Sequence, residues 1–197
     1  MHTPSTAPRH SIYYEYKVYP YQHPPELDGR QQHQHPVVIV GAGPVGMVAA
    51  LELAKFGVTC VLLESERQVS LGSRAICFTR RSMEILQQAG VDKPLTATGL
   101  PWRYGNSYYR GQRTFRLDMP YDADDRFGPM LNHQQQYLEQ FLVEAIQKQP
   151  LIDFRWGHRV VEIVRNDAKS AALRVDTQDG PYEIQSDWVV AADGAGS

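Results

Sequence analysis

The sequence predicts an α/β fold, a parallel sheet packed with helices and continued by a β-meander. Three observations predict it. Two short apolar, β-branched runs at residues 37–40 and 58–63 bracket a glycine-rich turn and a helical stretch, which together make one right-handed βαβ unit. Residues 134–147 carry Tyr137, Leu138, Phe141, Leu142, Ala145 and Ile146 along one side, the spacing of an amphipathic helix. The chain from residue 159 onward is β-rich, with Asp179-Gly180 placed as a hairpin turn.

Up to Pro36 the chain holds six of its 13 prolines, five of its seven histidines and five tyrosines, with no helical or alternating period. Residues 1–35 therefore read as a flexible leader, unless the tyrosines pack on the folded body. His23, His33 and His35 lack the cysteine or acidic company of a metal site, so no metal is expected. The body spans residues 36–197. Its first strand, Val37-Val38-Ile39-Val40, has the pattern of a strand buried on both faces. A helix follows the turn and ends at Gly57, a left-handed C′ residue. The second strand closes with Glu64. After a long connection, residues 81–89 predict a helix that Gly90 terminates. Residues 94–130, rich in Gly, Pro and aromatics, read as irregular with short strands, an edge strand at 113–117 among them. Beyond the amphipathic helix come strands at 159–165, 172–177 and 182–185, then a last buried strand at 188–193.

Composition narrows the class of function. With 20 Lys+Arg against 22 Asp+Glu the net charge is −2, so no bulk field points to nucleic acid or an anionic membrane. Residues 37–54 are interrupted by Gly41, Gly43, Pro44, Gly46 and Glu52, which excludes a transmembrane helix. The first 30 residues hold no continuous apolar stretch, so no secretory signal is expected. Cys60 and Cys77 cannot form a disulfide framework and fit a reducing cytoplasm.

The turn Gly41-Ala42-Gly43-Pro44-Val45-Gly46 is the central chemical signal. In a G-x-G-x-x-G turn the first glycine permits the tight exit from the strand and the second lets a pyrophosphate approach the backbone. The third allows close helix–strand packing, while the helix N-terminus offers free N–H groups to phosphate. Such a hexapeptide alone is weak. Its place between a strand and a helix, with acidic Glu64 ending the next strand where a ribose could bond, points to dinucleotide binding. Gly72-Ser73-Arg74-Ala75, Gln134 before Leu138-Glu139, and Asp193-Gly194-Ala195-Gly196-Ser197 mean little one by one, but their order and spacing add to it.

Together these residues resemble the N-terminal part of the class A flavoprotein monooxygenases, the para-hydroxybenzoate hydroxylase-like aromatic hydroxylases, from Pro36 to Ser197. Within that family the sequence is most similar to phenol and 3-hydroxyphenylpropionate hydroxylase-type members. The resemblance implies a Rossmann-like FAD-binding domain with part of a substrate-domain insertion, for which residues 95–130 are the candidate. It implies that Gly41, Gly43, Gly46 and Glu64 hold the FAD pyrophosphate and ribose, that Arg74 and Gln134 reach the cofactor, and that Asp193 and Gly194 form the Asp-Gly motif linked to FAD and NAD(P)H. NAD(P)H would reduce FAD, and the reduced flavin and O₂ would hydroxylate a small aromatic substrate.

Family members continue past the Asp-Gly motif, so the domain is expected to be incomplete, truncated near Ser197. No catalytic residue is assigned. Arg103, Tyr104, Tyr108, Tyr109 and Arg113 are candidates for contact with an aromatic acid, although each reads more readily as a surface residue. Cys77 reads as a packing residue. No Gly-x-Ser-x-Gly turn supports a hydrolase. The alternatives are a related flavin epoxidase, halogenase or reductase, or a fragment that is non-catalytic or binds FAD only; an NAD-only dehydrogenase would leave Arg74, Gln134 and the Asp-Gly end unexplained.

Overall fold

A computed structural model describes residues 3–29, 34–72 and 74–195. The βαβ unit forms as β1 (Gln34–Val40), α1 (Pro44–Lys55) and β2 (Cys60–Glu64). Pro44 opens α1 at a position where its missing N–H costs nothing. Gly57, at φ +73°, takes the left-handed conformation that ends it. Pairing is parallel, with Val38 beside Val61 and Ile39 beside Leu62.

The connection after β2 contains a short strand, β3 (Cys77–Thr79), and leads into α2 (Arg80–Gln88). The Thr79 hydroxyl caps α2 by accepting from the Ser82 N–H. The Pro- and Gly-rich stretch that follows is more regular than expected. It holds α3 (Asp92–Thr98), β4 (Leu100–Trp102), the hairpin β5 (Tyr104–Tyr109) and β6 (Gln112–Asp118), and β7 (Met130–Asn132). Strands β3, β7 and β4 make a small antiparallel sheet.

The chain returns through α4 (Gln135–Ile146), β8 (Ile152–Trp156), β9 (Arg159–Asn166), β10 (Ala171–Thr177) and β11 (Gly180–Ala191). The main sheet has the order β8-β2-β1-β11-β10-β9, parallel from β8 to β11 and antiparallel beyond. The two last strands expected from sequence are one continuous strand, β11. Its first half pairs with β10 and its second half with β1. Burial of the second half is only partial: Trp188 is 73% exposed and Ala191 is exposed. Pairing with β10 ends at Ser186, so beyond it β11 has a strand neighbour on one side only among the described residues.

Two apolar layers sandwich the sheet. Ile39 and Leu62 pack with α1 and α4, including Met47, Leu142 and Ile146. Val38, Val61 and Leu63 pack on the opposite face with Leu173, Val175, Tyr182 and Ile184. Each fully buried aliphatic side chain contributes roughly 1.5–3 kcal/mol, which makes this layering the main source of stability.

Residues 3–29, read from sequence as a flexible leader, pack on the body instead. Tyr14, Tyr16 and Tyr19 are buried in the α1–α4 layer, and Tyr19 stacks on Trp156 with ring centroids 4.4 Å apart. At the other end of this segment Glu26 lies under the sheet, paired with the buried Arg155 guanidinium at 2.9 Å. His23 and His35 bond carboxylates of Asp28, Asp179 and Glu26; His33 is outside the described residues.

Candidate functional site

The C-terminal ends of β1, β2 and β11 meet at one edge of the sheet, the place where open α/β sheets bind ligands. Two cavities flank this meeting point, about 700 Å³ and about 410 Å³ in volume, and Gly41, Glu64, Ser65 and Asp193 line both. The shared lining makes them neighbouring parts of one groove.

The three glycines of the turn do different work. Gly41 sits at φ +95°, and a Cβ there would meet the Ala192 carbonyl oxygen at 2.6 Å. A Cβ on Gly46 would meet the Gly41 carbonyl oxygen at 2.0 Å. Both are demanded by the fold. Gly43 has an ordinary φ of −71° and nothing within 4 Å of its absent Cβ, so the protein leaves that space open toward the groove. Gly43 is also the N-cap of α1 and offers no side-chain cap, which leaves the positive end of the helix to an anion.

Glu64 is oriented by its surroundings. One carboxylate oxygen accepts from the Ala42 N–H at 2.9 Å; the other accepts from the Glu66 N–H at 2.9 Å and the Ser65 hydroxyl at 3.1 Å. Three of about four lone-pair positions are filled, leaving one for a ligand hydroxyl. Arg74 is exposed on the rim of the smaller cavity and has no ion-pair partner among the described residues. Ser73 beside it lies outside the described residues, as do Gly196 and Ser197. Asp193 and Gly194 line the same cavity, Gly194 at φ +91°.

Gln134 does not join this group. It is the N-cap of α4, its side chain accepts from Gln136, and it lines a separate cavity with His133, Thr98 and Phe141. Its neighbour Gln135 lines the groove instead and donates to Glu139 at 2.7 Å. In this structure the first helical position of α4, not the cap, faces the groove. Glu139, named in sequence only as part of the stretch after Gln134, is not among the residues singled out there for the site. It is 1% exposed, lines the cavity, and accepts from the Ser70 N–H at 2.6 Å. An acid four residues after Gln135, amid the apolar side of α4, was the available signal.

The candidates of the 95–130 stretch lie elsewhere. Arg103 pairs with Asp118 and stands over the Tyr104 ring, and Arg116 covers that ring at 4.0 Å. Tyr108, Tyr109 and Arg113 are exposed on the same hairpin, and none of the five lines the groove.

Residues 34–197 match the family described as FAD binding domain. The chain belongs to this family. Relatives of the FAD binding domain chain include para-nitrophenol 4-monooxygenase of Pseudomonas sp. (strain WBC-3), 29% identical over 82% of this chain and 40% of the relative. A 3-(3-hydroxy-phenyl)propionate/3-hydroxycinnamic acid hydroxylase of Burkholderia vietnamiensis is 33% identical over 82% of this chain and 30% of its own length. Among solved structures, p-nitrophenol 4-monooxygenase PnpA from Pseudomonas putida DLL-E4 superposes with a TM-score of 0.77 at 29% identity, covering 85% of this chain and 42% of that one. The flavin-dependent monooxygenase PieE, solved with FAD and substrate, gives 0.71 at 29% identity, covering 84% of this chain and 31% of that one. The resemblance to aromatic flavin monooxygenases is thus borne out, and this FAD binding domain chain spans well under half the length of these relatives.

Proposed function

We propose that the chain is the FAD-binding part of an NAD(P)H-dependent monooxygenase acting on a small phenolic ring. The observation that carries the reading is the open space at Gly43, at the N-terminus of α1, in a groove that also holds Glu64, Arg74, Gln135, Asp193 and Gly194. These residues fit FAD: helix N–H groups and a cation for the pyrophosphate, a carboxylate for a ribose, and a left-handed glycine where the backbone meets the ligand. Bound FAD supplies the redox chemistry, taking a hydride from NAD(P)H and activating O₂ for transfer of one oxygen atom to the ring.

The chain's own part is to bind and orient. Glu64 holds the ribose end through its free lone pair, the α1 N-terminus and Arg74 neutralise phosphate, and Gln135, steadied by Glu139, faces the groove beside them. The exposed hairpin β5–β6, within residues 95–130, is assigned to the substrate side of the whole protein. Both cysteines are free thiols, and no described helix is long and apolar enough to cross a membrane; a cytoplasmic location is the reading these features support.

Titration of FAD into the purified chain, followed by the visible flavin spectrum and fluorescence, tests the assignment. Saturable binding that Gly43→Val removes is expected. Undiminished affinity in that variant would sink the site.

A further inference from the structure

The family domain starts at residue 34, yet one wall of its groove is held from outside it. We propose that the N-terminal segment, residues 3–29, is a positioning element of the dinucleotide site that acts through the loop at residues 66–72. The inference rests on the FAD reading above. Glu66, Gln68, Val69, Ser70 and Leu71 line the smaller cavity between Glu64 and Arg74, and none lies in a helix or strand. No sheet ladder or helix therefore orders this wall.

The N-terminal segment grips it along its length. Tyr19 and Arg67 bond reciprocally, the Tyr19 N–H donating to the Arg67 carbonyl and the Arg67 Nε–H to the Tyr19 carbonyl, both at 2.8 Å. The Gln68 side chain, 2% exposed, accepts from the Arg9 N–H at 2.8 Å and donates to the Ala7 carbonyl at 2.9 Å, imitating a strand pairing. The Arg9 guanidinium spans the loop, donating to the Val69 carbonyl at 2.5 Å and lying 3.4 Å from the Glu66 carboxylate, and it lines the cavity itself. The Tyr16 hydroxyl accepts from the Gly72 N–H at 2.9 Å and donates to the Ser70 carbonyl at 3.2 Å.

These contacts distinguish a positioning role from simple cover. Tyr14 is cover: its ring meets Tyr137 edge-on and its hydroxyl donates to Gln140 on α4, away from the loop. Tyr16, Arg9 and Ala7 instead spend their hydrogen bonds on backbone and side chains of the groove wall. Ordering a loop before the ligand arrives removes that entropy cost from binding, which is how preorganisation raises affinity.

The test compares Tyr16→Phe with Tyr14→Phe in the full 197-residue chain. Each variant removes one hydroxyl from a buried ring of the same aromatic cluster, and only the first touches the loop. The readouts are hydrogen exchange of the Gly72 amide without FAD, FAD affinity, and thermal unfolding. Tyr16→Phe is expected to speed exchange at Gly72 and to weaken FAD binding by about 3- to 10-fold, the range of one or two lost hydrogen bonds. Tyr14→Phe is expected to keep wild-type affinity at a similar unfolding temperature. Arg9→Ala, at the more exposed end of the grip, is expected to weaken FAD in the same direction and serves if Tyr16→Phe does not fold. Wild-type affinity in both Tyr16→Phe and Arg9→Ala, or an equal loss in Tyr14→Phe, overturns the proposal while leaving the FAD reading intact. A folded wild-type chain that binds no FAD overturns the reading itself and this proposal with it.

Discussion

A Cβ on Gly46 would stand 2.0 Å from the carbonyl oxygen of Gly41, whereas one on Gly43 would meet nothing within 4 Å. Glycines of one motif thus answer to different demands: the fold requires two of them, and the third leaves space open at the groove. Gly46→Ala is expected to destabilise the chain by about 1–3 kcal/mol or more, the cost of forcing an atom into packed backbone. Gly43→Ala is expected to unfold at the wild-type temperature and still lose FAD affinity. Thermal melts of both variants, paired with FAD titrations, check this. A Gly43→Ala protein that melts early would mean the open space is needed by the fold.

Glu64 lines both cavities and holds the glycine turn through the Ala42 N–H. Removing its carboxylate frees that N–H and the Glu66 N–H as well as any ribose contact. Glu64→Ala is expected to weaken binding of FAD, and of ADP alone, by roughly 1–3 kcal/mol, the range for charge-assisted hydrogen bonds. Calorimetry with ADP isolates the adenosine end. Equal heats and affinities for wild type and variant would leave Glu64 a structural acid of the turn.

How far the sequence was legible depended on how local each signal was. The β1–turn–α1–β2 unit, the helix read at residues 81–89 and α4 each rest on short local patterns, and they form with ends shifted by one to three residues. Strand β8 was not read, although Ile152, Phe154 and Trp156 alternate with Asp153 and Arg155 as in a strand; what no local pattern shows is that Arg155 is buried, through a carboxylate supplied by Glu26. The N-terminal segment carries no period at all. Its tyrosines are held by distant partners, 54 positions away for Tyr16 (Ser70), 126 for Tyr14 (Gln140) and 156 for Tyr21 (Thr177), so only tertiary contact reveals them. Gln135 and Gln134 differ by one position, and the direction in which α4 presents its first turn decides between them.

His158 gives the fold a pH dependence. It is buried, accepts from the Tyr182 hydroxyl at Nδ1, and donates from Nε2 to the Gln22 carbonyl, which suits the neutral ring. Burial and the neighbouring Arg155 charge push its pKa down from 6.5 to about 4. The unfolded chain therefore takes up a proton on this histidine before the folded chain does. Its contribution is complete above about pH 6.5 and is lost as pH falls toward about 4. Burial would raise Glu26, but the His35 hydrogen bond and the Arg155 charge hold it down to about 2, so a further loss begins below its ordinary 4.5. Urea unfolding from pH 7 to 4 is expected to show falling stability, and His158→Gln, which keeps a donor and an acceptor without titrating there, is expected to flatten the slope. An unchanged slope would assign the acid sensitivity to other groups.

Gln135 and Gln134 provide the sharpest comparison on the groove itself. Gln135 lies against the cavity with its amide fixed by the buried Glu139, whose second oxygen holds the Ser70 N–H. Gln134 faces a different cavity and bonds Gln136. Gln135→Ala removes a donor from the groove and leaves Glu139 short of a partner in a buried setting, so it is expected to weaken FAD binding by about 1–2 kcal/mol with a smaller loss of stability. Gln134→Ala replaces a helix cap that makes no side-chain bond to the α4 backbone, and FAD affinity is expected to stay within about twofold of wild type. Side-by-side titrations decide the matter, because the reverse ranking would return the cofactor contact to Gln134 and require α4 to turn its first residues when the ligand enters.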